Sequence, residues 1–226
     1  MDARQEPSYQ VVEIFQSING EGQRAGERAA FVRMKGCNLA CSYCDTSWAN
    51  EPEASFRNMG IGEILDKLSE FHVKNVTVTG GEPLVQKAIV LLLKVLAEAG
   101  YRVEVETNGS VPLEPFRNIS SEIAFTVDYK LPGSGMEERM LRENFRGLAA
   151  KDTVKFVVSD RADLEKAYEV CERELSDCRG AVYLSPVFGR IEPEEMVAFM
   201  TERKWNRARL QIQLHKVIWD PEARGV

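Results

Sequence analysis

Short apolar runs alternate with amphipathic segments along most of the chain, and this alternation predicts its secondary structure. Residues 76–79, 103–106 and 154–158 are short, rich in β-branched side chains and bounded by polar turns, which predicts strands. Residues 61–68 carry apolar side chains three and four positions apart, the spacing of one helix face. Residues 84–99 predict a second helix, because they are apolar along much of their length and are followed by a glycine.

The same alternation continues to the end of the chain and predicts a fold of the α/β class. A full (β/α)8 barrel typically needs ~250 residues, so 226 residues with six strands between Phe31 and Leu184 predict an incomplete, β6/α3-like TIM-type barrel. Residues 11–15 and 210–215 are expected as added N- and C-terminal strands of a single domain that spans residues 1–226. The other predicted strands are residues 29–34, 123–127 and 181–184, and the other predicted helices are residues 137–148, 161–175 and 194–203.

Composition narrows the class of protein. The hydrophobic fraction is 44%, the charged fraction is 28% and the net charge is −6, so a broad basic surface for nucleic acid is not expected. No run approaches the ~20 apolar residues of a membrane span, and the polar first residues do not read as a signal peptide. Five cysteines, three of them close together, favour a reducing compartment, so we expect a cytoplasmic protein.

The stretch with the clearest chemistry contains Cys37, Cys41 and Cys44, spaced C-x3-C-x2-C. Clustered thiolates select zinc, copper(I) or iron–sulfur clusters. A structural zinc site usually has four Cys or His ligands, and a [4Fe–4S] cluster normally takes four cysteines. Three thiols therefore predict a cluster with one iron left open for a substrate or cofactor, with a zinc knuckle or three buried thiols as the alternatives.

Unusual residues follow the strands at five places, and these places are expected to meet at one mouth of the barrel. Ligand sites of parallel α/β folds gather at the carboxyl ends of the strands. In Gly80-Gly81-Glu82-Pro83 the glycines allow backbone groups to approach a ligand, while a plain turn is the alternative. The five places are the cysteine loop and residues 79–83, 106–109, 128–130 and 185–186.

The cysteine spacing and the Gly-Gly-Glu sequence resemble the radical S-adenosylmethionine (SAM) enzymes. In that superfamily SAM chelates the fourth iron, and the Gly-Gly-Glu motif contacts its amino group. The resemblance implies a radical SAM barrel, a [4Fe–4S] cluster and SAM as cofactors.

Further segments narrow the resemblance to the 7-carboxy-7-deazaguanine synthase family and cover nearly the whole chain. These segments are residues 15–22, 31–33, 44–46, 79–83, 106–109 and 213–216. The resemblance implies a radical SAM lyase that converts 6-carboxy-5,6,7,8-tetrahydropterin to 7-carboxy-7-deazaguanine and releases ammonia. The implied route is hydrogen abstraction by a 5′-deoxyadenosyl radical followed by ring contraction, on the pathway to queuosine and other 7-deazapurines. The resemblance also implies Mg²⁺, a homodimer, and flavodoxin or ferredoxin as electron donor.

The resemblance also assigns site residues by position, and it assigns no catalytic residue beyond the cluster and SAM. Cys37, Cys41 and Cys44 would hold the cluster, and Thr46 would offer its hydroxyl to Mg²⁺. The implied SAM contacts are Tyr43, Cys44, Asp45, Gly81, Glu82, Lys130 and Ser185. The implied pterin contacts are Ile18, Asn19, Gly20, Arg33, Thr79 and His215.

Two of these pterin contacts keep a structural alternative. A guanidinium pairs bidentately with a carboxylate, which suits Arg33 to the acidic substrate, but a surface ion pair would also explain it. His215 alternates with Gln213 on the predicted last strand, so it is either a substrate contact or a structural residue.

The chain departs from the family pattern at two places. Asp128-Tyr129-Lys130 stands where many members have Ser-Pro-Lys, so only Lys130 is carried over as a SAM contact. Some members contact the substrate through a C-terminal proline carboxylate. This chain continues past Lys216 to Val226, so that contact is not carried over.

Two other functions fit parts of the sequence. A glycyl-radical-enzyme activating protein is similarly small and has the same cysteine spacing, but it acts on a protein backbone. A non-catalytic metal-binding or electron-transfer protein would explain the cysteines alone. The segments around residues 15–22 and 44–46 favour the pterin enzyme over both.

Overall fold

One sheet organises the chain in the computed structural model, which describes residues 6–226. Its strands in this part of the chain are β1 (Ser8–Ile18), β2 (Arg28–Met34), β3 (Arg57–Gly60), β4 (Asn75–Gly80), β5 (Arg102–Thr107), β6 (Ile123–Tyr129), β7 (Thr153–Val158), β8 (Ala181–Pro186) and β9 (Ala208–Leu210). The α-helices are α1 (Ile61–Ser69), α2 (Ile89–Glu98), α3 (Arg161–Glu174), α4 (Pro193–Glu202) and α5 (Leu214–Ile218). Residues 1–5, where part of the signal-peptide prediction falls, lie outside the described residues.

The strand order confirms the predicted incomplete barrel. The order is β3-β1-β2-β4-β5-β6-β7-β8-β9, and the sheet stays open, with β3 and β9 at its edges. β1 runs antiparallel to β2 and β3, whereas every pairing from β2 to β9 is parallel. The six predicted parallel strands are β2 and β4 to β8, with α1, α2 and α3 between them. No α-helix of the described chain is both long and apolar enough to span a membrane.

The two faces of the parallel strands differ in polarity because side chains alternate along a strand. Val76 and Val78 on β4 belong to the hydrophobic core, together with Leu92 and Leu96 of α2. The intervening Thr77 donates a hydrogen bond to Asn19 on the other face. Burial of the valines and leucines holds the helices on one face and leaves the other face free to carry polar groups.

Two predicted elements are wrong and a third begins late, each because side-chain contacts replace the expected backbone hydrogen bonds. Residues 137–148 form two short 3-10 turns instead of a helix. There the Asn144 side chain bonds the backbone of Leu113, Gly109 and Val111. Such long-range bonds compete with helical ones.

The second correction concerns residues 84–99, where the α-helix begins only at Ile89. A 3-10 turn at Pro83–Val85 precedes it, and the Gln86 side chain donates to the carbonyl of Lys35 instead of continuing a helix.

Sequence reasoning also missed the strand Arg57–Gly60. Only Met59 of this strand is buried, so the sequence carries little strand signal there.

The third correction concerns residues 210–215, which were predicted as a strand. β9 ends at Leu210, and α5 begins at Leu214. The side chain of Gln211 bonds both the amide and the carbonyl of Gly22, and the Leu214 amide donates to the carbonyl of Gly20. The segment therefore crosses over the β1–β2 loop instead of extending the sheet.

Candidate active site

A cavity of about 730 Å³ opens at the carboxyl ends of the parallel strands. Parallel register places Arg33 of β2 beside Thr79 of β4, so the loops that follow these strands leave the sheet together. A shallower depression of about 580 Å³ runs along the outer side of α3 and contains none of the predicted site residues. The predicted residues that line the larger cavity are Ile18, Gly20, Arg33, Cys37, Cys41, Tyr43, Cys44, Asp45, Thr46, Thr79, Gly81, Lys130 and His215.

Three predicted contacts, Asn19, Glu82 and Ser185, lie buried beneath the cavity instead of on its wall. Asn19 accepts from the Thr77 hydroxyl at 2.8 Å, while its Nδ2 is buried with no partner among residues 6–226. A buried donor without a partner is costly, and this donor lies between Ile18 and Gly20, which do line the cavity. The roles of these three residues stay predictions.

The three cysteines of the loop after β2 are free thiols of intermediate exposure on the same cavity wall. Burial raises the pKa of the Cys37 and Cys41 thiols. The Leu39 amide donates to Cys37 Sγ at 3.4 Å, and Asn108 Nδ2 lies 3.6 Å from the same sulfur. Such donors tune the reduction potential of a cluster.

This donor set fits a [4Fe–4S] cluster. Among residues 6–226, no three His, Cys, Asp or Glu side chains are arranged to hold a single metal ion. A cluster makes no such demand, since each cysteine binds a different iron. Metal binding deprotonates a coordinating thiol, so the raised thiol pKa values do not prevent ligation.

The glycine pair after β4 is required by the cysteine loop itself. A Cβ on Gly81 would overlap the carbonyl of Gly36, and the Glu82 amide donates to that carbonyl at 2.9 Å. Gly80 has a φ of 139°, a region that favours glycine. The pair therefore lets two loops touch, and it still leaves Gly81 on the cavity wall.

The Glu82 side chain ties the same loop to the end of β5. Its carboxylate accepts from the Leu84 amide at 3.0 Å, from the Thr107 hydroxyl at 2.9 Å and from the Asn108 amide at 2.6 Å. Burial raises the pKa of the Glu82 carboxyl, because it outweighs these hydrogen bonds, which lower the pKa. Glu82 thus fixes the loop beside the cluster cysteines.

Arg33 lies in an ion pair inside the cavity and not at the surface. Its Nε donates to Glu13 Oε1 at 2.7 Å, and its guanidinium stacks over Phe15 and Trp48 at 5.6 and 5.9 Å from the ring centroids. Only 15% of the Arg33 side chain is exposed. Its remaining donors sit in a partly desolvated cavity, where a carboxylate would be bound strongly.

His215 reaches the cavity from the first turn of α5, and the prediction that it sits on a strand is wrong. Its imidazole lies against Gly20, where a Cβ would collide with Nδ1. Burial lowers the pKa of His215, which favours a neutral ring at pH 7. A neutral imidazole offers one donor and one acceptor to a heterocycle.

The Mg²⁺ and SAM candidates near the cluster have local partners. Thr46 Oγ1 lies 3.6 Å from Cys44 Sγ, and the Tyr43 hydroxyl donates to the carbonyl of Val157 at 3.1 Å. Lys130 Nζ donates to Asp128 Oδ2 at 2.8 Å. Burial opposes the charge of Lys130, but the attraction of Asp128 outweighs it and raises the pKa of the ammonium group.

Sequence reasoning did not select Glu21 or Lys155 as site residues. Lys155 Nζ donates to Glu21 Oε2 at 3.1 Å, and the hydroxyl of Ser185 and the amide of Gln213 donate to the same carboxylate. Burial raises the pKa of Glu21, but these partners lower it to about 2. The sequence feature that could have identified Lys155 is its charge within an otherwise apolar strand, Val154-Lys155-Phe156.

The C-terminal residues 221–226 also line the cavity, which the sequence did not indicate. The Arg224 guanidinium lies 4.2 Å from the Trp48 ring centroid, and Lys216 Nζ donates to the carbonyl of Pro221 at 2.7 Å. These contacts fold the segment back against Trp48, the same ring that the Arg33 guanidinium lies over.

Comparisons with known proteins decide the family. A profile of the Radical SAM superfamily matches residues 31–197. The 7-carboxy-7-deazaguanine synthase of Clostridium acetobutylicum is 52% identical over 97% of this chain and 100% of its own length. The chain belongs to the 7-carboxy-7-deazaguanine synthase family. A second member, from Chlorobaculum tepidum, is 38% identical over 96% of both chains.

Solved structures support the fold of this family member. QueE from Escherichia coli superposes with a TM-score of 0.73 over 91% of this chain and 94% of its own, at 22% identity. SuiB from Streptococcus suis bound to S-adenosylmethionine has a TM-score of 0.56 over 81% of this chain and 50% of its own, at 15% identity. The predicted resemblance and the radical SAM barrel are confirmed, and superfamily membership implies a [4Fe–4S] cluster and SAM.

Proposed function

We propose that this chain is a carbon–nitrogen lyase that converts 6-carboxy-5,6,7,8-tetrahydropterin to 7-carboxy-7-deazaguanine and releases ammonia. The observation that carries the proposal is one cavity shared by the cysteine triad, the Gly80-Gly81 loop, and the predicted pterin residues Arg33 and His215. The names of the family members favour this reaction over activation of a glycyl-radical enzyme.

In the proposed arrangement, the cofactors bind on one side of the cavity and the pterin binds on the other. Cys37, Cys41 and Cys44 hold the cluster, while Tyr43, Asp45, Gly81 and Lys130 are predicted SAM contacts that line the same cavity. The bound cofactors supply a one-electron abstraction of hydrogen from the pterin. The chain itself binds, orients and shields the reactants, since water exclusion protects reactive species from side reactions.

On the pterin side, each group has a role that its surroundings support. The Arg33 guanidinium, held by Glu13, binds the carboxylate of the substrate. His215 and the unpartnered Nδ2 of Asn19 offer hydrogen bonds to the pterin ring. Burial of these groups makes each bond directional and discriminates against rings that lack the matching partner.

The remaining parts of the proposal concern the setting of the enzyme. Thr46 contributes a hydroxyl oxygen to Mg²⁺, a hard ion that keeps most of its waters. Residues 1–226 form a single domain, the enzyme is a cytoplasmic homodimer, and flavodoxin or ferredoxin delivers the electron. The single domain and the cytoplasmic location are inferred from the sequence pattern and the cysteines, while Mg²⁺, the homodimer and the electron donor are inferred from the family resemblance.

The test is an anaerobic assay of the reconstituted protein with SAM, a reductant, Mg²⁺ and 6-carboxytetrahydropterin. We expect 7-carboxy-7-deazaguanine and one equivalent of ammonium, identified by mass spectrometry. The electron paramagnetic resonance spectrum of the reduced cluster should change when SAM is added. Absence of product, together with a glycyl radical formed on a partner protein, would assign the activating function instead.

The Mg²⁺ site is tested by Thr46→Val, which keeps the shape of the side chain and removes its oxygen. We expect the stimulation of activity by Mg²⁺ to fall by about tenfold, a typical effect of losing one ligand-shell interaction. Ser47→Ala, on the exposed neighbouring residue, should keep the wild-type response to Mg²⁺. An unchanged Mg²⁺ titration in Thr46→Val would remove Thr46 from the metal site.

A further inference from the structure

Four side chains of alternating charge cross the cavity, in the order Glu21, Lys155, Asp128 and Lys130. Lys155 Nζ lies 3.1 Å from Glu21 Oε2 and 3.8 Å from Asp128 Oδ2, and Lys130 Nζ lies 2.8 Å from Asp128 Oδ2. All four side chains line the cavity, and only 9–14% of each is exposed. Ion pairs this deeply buried are costly to break, because removing one partner leaves an uncompensated charge.

The row joins the two sides of the site. Glu21 directly follows the predicted pterin residues Ile18–Gly20, whereas Asp128 and Lys130 at the end of β6 act electrostatically on the Cys41 thiol. Lys155 comes from β7 and contacts a carboxylate of each side. A displacement of Lys155 would therefore move groups on both the pterin side and the SAM side of the cavity.

The charge state of Lys155 excludes a role as proton donor near neutral pH. Burial opposes its charge, but Glu21, Asp128 and Glu106 outweigh burial and raise the pKa of the ammonium group. An ammonium group with a raised pKa stays protonated throughout turnover, so its effect is electrostatic and steric. The positive charge of Lys155 is also the largest of the effects that lower the pKa of Glu21, whereas burial raises that pKa.

The carboxylate of Glu21 has no other ion-pair partner within 4 Å among the described residues. Neutral donors to it are Ser185 on β8 and Gln213 before α5. The other charged or titratable groups that act on this row are Cys41 and Tyr43 in the loop after β2, Glu82 after β4, Glu104 and Glu106 on β5, and His215 on α5.

We propose that Lys155 is a positioning residue that joins the pterin loop to the SAM-side strand end through Glu21 and Asp128, so that hydrogen abstraction and ring contraction stay coupled. The inference rests on the proposed function, since it concerns the same two ligands. Lys155 acts through the two carboxylates and not on the reacting atoms. Asp128 Oδ1, buried and without a partner among the described residues, is left as an acceptor that Lys155 helps to orient.

The first test is Lys155→Gln, measured as 5′-deoxyadenosine formed per 7-carboxy-7-deazaguanine formed. A misplaced pterin should let SAM be cleaved without product, so the ratio should rise by about tenfold or more, because displacements of 1 Å cost up to about 100-fold in productive reaction. Lys155→Arg keeps the charge and should stay near the wild-type ratio. Lys151→Gln, on an exposed lysine before the same strand, is the matched control.

The second readout is a pH profile, which general destabilisation would not create. Without the ammonium group, burial dominates at Glu21, so its pKa rises from about 2. Protonation of Glu21 would then reduce kcat/KM for the pterin as the pH falls through that raised value. Lys155→Gln should gain this acid limb, whereas the wild type and Glu21→Gln/Lys155→Gln should lack it.

The outcomes separate the inference from the proposed function. If the wild type forms no deazaguanine, the proposed function fails. If the wild type forms it and Lys155→Gln keeps both the wild-type ratio and the wild-type pH profile, the role of Lys155 is refuted. If Lys155→Gln does not fold, the comparison is made between Lys155→Arg and Glu21→Gln/Lys155→Gln. A higher ratio of 5′-deoxyadenosine to 7-carboxy-7-deazaguanine in the double variant supports the proposal. Equal ratios in the two variants contradict it.

Discussion

The cluster side and the pterin side of the cavity are built in different ways. On the cluster side, the Glu82 carboxylate joins loops that follow neighbouring strands and accepts from Thr107, 25 residues away in the chain. On the pterin side, Glu21 binds Lys155 and Ser185, which lie 134 and 164 residues away. The Glu82 contacts lie within one pair of neighbouring strands, whereas the Glu21 contacts need the β1–β2 loop, β7 and β8 to come together.

This difference fits the proposed roles, with the cofactors bound on one side and the substrate recognised on the other. The cluster requires three thiols at fixed separations, which one short loop provides. Recognition of a heterocycle with a carboxylate needs donors and charges that approach from several directions. Arg33, Asn19 and His215 come from β2, the β1–β2 loop and α5 respectively.

The largest effect is expected from a substitution that disrupts only the cluster side. Cys41→Ala should lose the [4Fe–4S] cluster and all deazaguanine formation, because two cysteines leave two irons without a protein ligand. Iron and sulfide analysis after anaerobic reconstitution measures the loss. Cys178→Ala, on a buried cysteine outside the cavity, should keep wild-type iron content. Full iron loading in Cys41→Ala would contradict the cluster assignment.

Arg33→Gln tests the pterin side. We expect kcat/KM for the pterin to fall about 10- to 100-fold, since hydrogen bonds to charged groups contribute roughly 1.5–3 kcal/mol. SAM-dependent change of the cluster spectrum should persist. Arg57→Gln is the matched control, because Arg57 pairs with Glu63 at the surface with 75% of its side chain exposed. Equal kinetic constants in both variants would argue against a substrate contact at Arg33.

Gly81→Ala tests the contact between the two cluster-side loops. The added Cβ would overlap the Gly36 carbonyl, so the free energy of unfolding should fall by about 1–3 kcal/mol. Thermal unfolding of the anaerobically loaded protein, together with cluster retention, measures the effect. Gly62→Ala adds a Cβ in α1 with no atom within 4 Å and should be neutral or stabilising. Similar behaviour of the two variants would contradict the loop-contact explanation.

Glu104→Gln gives the smallest effect, and it depends on pH. Burial raises the pKa of Glu104 to about 7, against a hydrogen bond from Thr126. Because the folded-state pKa exceeds the unfolded value, the contribution of this group to stability is complete below the unfolded pKa and declines as the pH rises through about 7.

The variant removes this titration and keeps an oxygen that accepts from Thr126. Relative to the wild type, Glu104→Gln should therefore gain about 2 kcal/mol, or about 4–8 °C in melting temperature, between pH 5 and pH 8. Glu98→Gln, whose side chain is 63% exposed, should show no such pH-dependent gain. A constant difference between Glu104→Gln and the wild type across this range would refute the titration of Glu104.

The errors of sequence reasoning share one cause, because contacts of a side chain with remote residues replace the expected backbone hydrogen bonds at residues 84–99, 137–148 and 210–215. The cysteine loop, the glycine pair and the parallel strands were predicted because each is encoded in consecutive residues or in local periodicity. The segment 210–215 was predicted as a strand from alternation alone. Its actual path is determined by Gln211, whose side chain bonds Gly22 across 189 residues of sequence.

Local spacing in the chain was enough to indicate an iron–sulfur loop and the barrel that presents it, because thiol separation and strand polarity are properties of short segments. The pairing of Glu21 with Lys155, the position of His215 on α5 and the return of residues 221–226 over the cavity became visible only in the folded molecule. The physical reason is that charge pairing and burial depend on distances in space. Such distances between remote residues arise only when the sheet brings its strands together.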